Sequence, residues 1–98
     1  MKIGFLFLCH NNPGQTADTV KRLLKGTDNE AVIHVDLKAD TNEFKTLLTE
    51  CKGVHFIEDR VRAYWAGFNA TKAIIKMLEK ALELDLQAEV LDEQVRLL

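Results

Sequence analysis

Three places in this sequence gather side chains able to do chemistry on an anion or a nucleotide. His10 follows an apolar run at 3–9. Asp36, with Lys38 two residues on, closes a second apolar run at 31–36. Arg60 and Arg62 alternate in a polar stretch that leads to Trp65. Arginine presents a planar fork matched to phosphate oxygens, and two of them beside an aromatic ring could hold a diphosphate or stack on a base. Each residue also has a plainer reading. Asp36 could open a loop and cap the next helix, and His10 could be satisfied by the backbone of its own loop. Arg60 and Arg62 could pair with Glu58 and Asp59, and Trp65 could anchor packing. His34 and His55 sit among apolar neighbours and read as core or sheet-face residues. The three histidines lack metal-ligand spacing, so no metal site is expected.

These residues need elements to position them. The run at 3–9 is apolar on both faces, as a central strand of a parallel sheet would be. The turn cluster His10-Asn11-Asn12-Pro13-Gly14 follows it. A helix is expected over 15–25, with Ala17, Val20, Leu23 and Leu24 at helical spacing, Pro13 at its start and Gly26 at its exit. The second strand, 31–36, is rich in β-branched residues and ends at Asp36. A strand–helix–strand unit of this kind crosses over right-handed. Its ligands bind outside the carboxyl ends of the strands, which makes a nucleotide the first expectation for Asp36. The unit carries neither G-x-G-x-x-G nor G-x-x-x-x-G-K-[ST]. Phosphate contacts would therefore come from side chains and from the loop after the first strand.

Further along, Asp40 and Glu43 have capping-box spacing. Phe44, Leu47, Leu48 and Cys51 form a helical stripe that Gly53 stops, and 54–57 reads as a short third strand. The 98 residues allow one small domain, and 47% apolar with 29% charged residues is ordinary for a globular chain. A net charge of −2 argues against a nucleic-acid partner held by a bulk basic field. No apolar run approaches the roughly 20 residues that span a bilayer. The first nine residues lack the small-residue cleavage site of a signal peptide, so a cytoplasmic protein is expected. Two separate cysteines suggest neither a disulfide framework nor a zinc site, and Cys9 reads as a small buried hydrophobe.

Three segments taken together resemble a known family. They are Phe5-Leu6-Phe7-Leu8-Cys9-His10-Asn11-Asn12-Pro13, Ile33-His34-Val35-Asp36-Leu37-Lys38, and Phe56-Ile57-Glu58-Asp59-Arg60-Val61-Arg62-Ala63-Tyr64-Trp65-Ala66-Gly67-Phe68. The set is similar to the amino-terminal part of the core-2/I-branching β-1,6-N-acetylglucosaminyltransferases, over roughly residues 2–83. The resemblance implies a metal-independent nucleotide-sugar domain of GT-A type with a UDP-sugar donor and no cofactor. It implies that Leu8, Cys9 and His10 line the uridine pocket and that Asp36, with Lys38 beside it, contacts the nucleoside. Arg60, Trp65 and Gly67 match an arginine-to-tryptophan-glycine signature that shapes the pocket floor, and Arg62 stands where relatives have a tyrosine near the base. The Ser-Gly-x-Asp-x-Pro-Leu type segment that follows in the family, and with it the acceptor site and the catalytic base, has no counterpart in this sequence. A fragment or shortened relative without turnover of its own is therefore expected.

Ile74, Met77, Ala81, Leu84, Ala88, Leu91, Val95 and Leu98 recur at alternating three- and four-residue steps with no Pro or Gly between them. That spacing predicts a long carboxyl-terminal helix, with 84–98 as an extension able to pair two chains into a homodimer. The expected architecture is α/β: a small three-stranded parallel sheet with flanking helices, half of a Rossmann-like nucleotide-sugar domain, over 1–83. Two functions from different classes follow, a nucleotide-sugar-binding part of a glycosyltransferase and a non-catalytic scaffold or dimerisation module.

Overall fold

A computed structural model describes residues 3–62, 68–84 and 87–92. The elements run β1 (Ile3–Cys9), α1 (Pro13–Leu24), β2 (Glu30–Val35), α2 (Thr41–Leu47), β3 (Val54–Phe56), α3 (Phe68–Glu83) and β4 (Gln87–Asp92). All strand pairs are parallel, in the spatial order β3-β2-β1-β4. The three predicted strands and the flanking helices are present.

Two sequence expectations need correction at the carboxyl end. The helix after residue 68 ends at Glu83, and Gln87–Asp92 is a fourth strand, paired with β1 from Ile3↔Gln87 to Leu8↔Asp92. The helical extension expected over 84–98 is thus extended backbone at 87–92. An open flank of β1 presents a row of unpaired N–H and C=O groups, and a parallel strand satisfies them where a helix would not.

Strand alternation sorts the core into two halves. Phe7, Cys9, Ala31, Ile33 and Val35 face one side, packed with Ala17 and Val20 of α1 and with Phe44 and Leu48 at α2. Leu6 and Val32 face the other side, against Met77 and Ala81 of α3. These residues are at most 3% exposed, and each large apolar side chain so buried contributes about 1.5–3 kcal/mol. The result is three layers, with α1 and α2 below the sheet and α3 above it. Local signals explain the helix boundaries. Pro13 opens α1, the Asp40 carboxylate accepts the Asn42 amide at 2.9 Å at the start of α2, and Gly53, at φ +80°, makes the turn into β3. No described helix is long and apolar enough to cross a membrane.

Candidate functional site

Because all four strands run the same way, their carboxyl ends share one edge. Asp36 is the node of that edge. Its amide donates to the Cys9 carbonyl at 2.7 Å, which ties the end of β2 to the end of β1. Its Oδ1 accepts the Lys38 amide at 2.9 Å, closing a tight turn. The residue is 7% exposed.

The loop after β3 is fastened to the same edge. Ile57 donates its amide to the Ile33 carbonyl at 2.9 Å, and Leu37 donates to the Val61 carbonyl at 3.1 Å. Arg60 lays Nη1 against the carbonyls of Asp36 and Ala39, each at 3.1 Å, with that of Val35 at 3.4 Å. The guanidinium therefore clasps the turn that carries Asp36. This favours a positioning role for Arg60 over ion pairing with Glu58 or Asp59. Asp59 instead meets Nζ of Lys76 on α3 at 2.5 Å, and that ammonium holds its carboxyl below the usual range.

Spacing alone gave no hint of His34 as part of this construction. The ring is fully buried, and Nε2 lies 3.0 Å from the Val61 amide nitrogen. An imidazole nitrogen that accepts an N–H must be unprotonated, so the proton of the neutral ring sits on Nδ1. Among the described residues, buried Nδ1 has no hydrogen-bond partner of good geometry. Burial is the largest cause pushing the His34 pKa below its ordinary value; the residue's own backbone and Asp36 oppose it, and Arg60 and Lys76 add to it.

The predicted residues thus divide. The backbone of Cys9, together with Asp36, Lys38 and Arg60, meets at one edge, and His10 begins the loop that leaves it. The Cys9 thiol points into the core, 3.7 Å from Thr16 Oγ1, so only its backbone serves the edge. Leu8 faces the α3 layer, half-buried. Arg62 is exposed, and Trp65 lies outside the described residues. Asn12, in the left-handed region at φ 54°, turns the chain into α1, so the amino terminus of α1 also sits at this edge. The helix carries no acidic residue in its first turn.

Strand order adds what the sequence did not show. The chain steps outward from β1 to β2 to β3, then α3 carries it back across to β4 on the other side of β1. The order reverses between β1 and β4. In open α/β sheets that reversal opens a crevice outside the carboxyl ends, where nucleotides bind. An open groove of about 480 Å³, lined by Lys21, Thr46, Leu47, Thr49, Glu50 and Cys51, lies elsewhere, between the later parts of α1 and α2. Among the described residues no cluster of His, Cys, Asp or Glu could hold a metal ion.

A model of the Core-2/I-Branching enzyme family matches residues 3–90. The chain belongs to this family. The match runs from β1 into β4, so every described element lies within it or, in the case of β4, begins within it. No curated protein matches the chain. Within the Core-2/I-Branching family the chain is glycosyltransferase-like.

Proposed function

We propose that this Core-2/I-Branching chain is a nucleotide-sugar-binding unit that takes a UDP-linked donor at the carboxyl edge of its sheet. The reversal of strand order between β1 and β4, with Asp36 and the start of α1 at the same edge, is the observation that carries this reading. A helix amino terminus directs backbone N–H groups and a partial positive charge outward, which suits a phosphate. A carboxylate held by its own turn suits donor groups of a nucleoside, such as ribose hydroxyls. In this reading Arg60 and His34 hold the edge in shape, and Leu8, His10 and Lys38 border the ligand.

Calorimetry with UDP and with UDP-N-acetylglucosamine tests the proposal. Saturable binding is expected, lost in Asp36→Ala. Asp36→Asn keeps an oxygen able to accept the Lys38 amide, so it preserves the turn while removing the charge. Weakened binding in a variant with an unchanged thermal midpoint assigns the carboxylate to the ligand. The absence of binding at millimolar nucleotide, or equal binding by wild type and both variants, refutes the reading.

A further inference from the structure

The outer face of α3 is apolar where a lone helix would be polar. Ile75 is 49% exposed, Leu78 36% and Leu82 77%. Their three- and four-residue steps place them in one stripe along the helix, apart from the buried face formed by Ala73, Met77 and Ala81. The stripe is bordered on one side by Lys72, Lys76, Glu79 and Glu83, in that order along the helix. The basic residues stand towards the amino-terminal end and the acidic ones towards the carboxyl-terminal end. This is the reverse of what the helix macrodipole favours. Within the chain the border gains a contact between Lys80 and Glu83 at 3.9 Å and the bond from Lys76 to Asp59.

An antiparallel neighbour of the same sequence accounts for both features. We propose that α3 is a homodimer interface, in which a second copy of this chain lays its own α3 antiparallel across the stripe. A two-fold axis midway between Met77 and Leu78 interleaves the two sets of Ile75, Leu78 and Leu82. The same axis brings Lys72 level with Glu83 of the second copy, and Lys76 level with its Glu79. Apolar interleaving and opposite-charge borders then share one register, and the two macrodipoles run head to tail. A parallel two-fold would instead turn this charged border towards the opposite border of the second helix, so the pairs would not form. Of the border residues, Lys76 also bonds Asp59 in the loop after β3, and sedimentation reads dimerisation separately from nucleotide binding.

Sedimentation equilibrium of the full chain across micromolar concentrations tests the interface, with circular dichroism to verify folding. A mass of two chains is expected, falling to one in Leu78→Glu, whose exposed site tolerates the change. Lys72→Glu breaks two symmetric charge pairs and weakens dimerisation about tenfold. The double variant Lys72→Glu/Glu83→Lys restores it, because the reversed charges meet again across the axis. A wild-type mass of one chain at 100 micromolar, or of more than two, overturns the proposal. So does a folded Leu78→Glu that still dimerises, or a double variant no better than Lys72→Glu.

Discussion

The amide of Val61 donates to Nε2 of His34 at 3.0 Å, so a buried imidazole in β2 holds the loop that follows β3. The bond exists only while the ring is neutral. Folding lowers the pKa of His34 below its ordinary value of 6.5, chiefly through burial. Between the folded and unfolded values the unfolded chain binds a proton that the folded chain refuses. The stabilisation is therefore whole above about pH 6.5 and declines as pH falls towards the folded value. Urea midpoints measured between pH 8 and pH 5 should fall more steeply for wild type than for His34→Gln. Parallel profiles would mean that the histidine does not titrate in this way.

Arg60 carries a different load, since Nη1 serves three backbone carbonyls of one turn. Removing the guanidinium leaves carbonyls at the edge without their charged donor. Arg60→Ala should cost about 2 kcal/mol in denaturant unfolding. Arg60→Lys keeps the charge but loses the planar fork, and should recover less than half of that loss. Full recovery by lysine would show that charge alone suffices.

The α3 layer depends on a small group of side chains. Leu6 and Met77 are fully buried, packed with Val32 and Ala81. Leu6→Ala removes most of a side chain from this group and should cost about 3 kcal/mol by urea unfolding. A loss below about 1 kcal/mol would mean that α3 packs loosely on the sheet.

Two glycines should answer alanine substitution with opposite signs. Gly53 has φ +80°, and a Cβ there would lie 3.3 Å from the Asn29 carbonyl oxygen and 3.3 Å from Cγ of Glu30. Gly53→Ala should destabilise by about 1–2 kcal/mol. Gly14, in the first turn of α1, has no atom within 4 Å of an added Cβ. Gly14→Ala should stabilise by about 0.5–1 kcal/mol, mainly by restricting the unfolded chain. Thermal midpoints of the two variants check the pair.

By itself the sequence determined β1, β2, β3 and the helices between them. Period-two and period-3.6 patterns report which side chains share a face, and caps and breakers such as Asp40, Pro13 and Gly53 bound the elements. It also determined the family, through the spaced segments around Cys9, Asp36 and Arg60. The fold decided β4, because residues 84–92 fit a heptad as readily as an alternating strand. A short pattern compatible with both periods is settled by what lies beside it, here the open flank of β1. The fold also decided that His34 and Arg60 act on backbone. Their partners lie more than 20 residues away, and strand register rather than local composition brings a distant amide or carbonyl within reach.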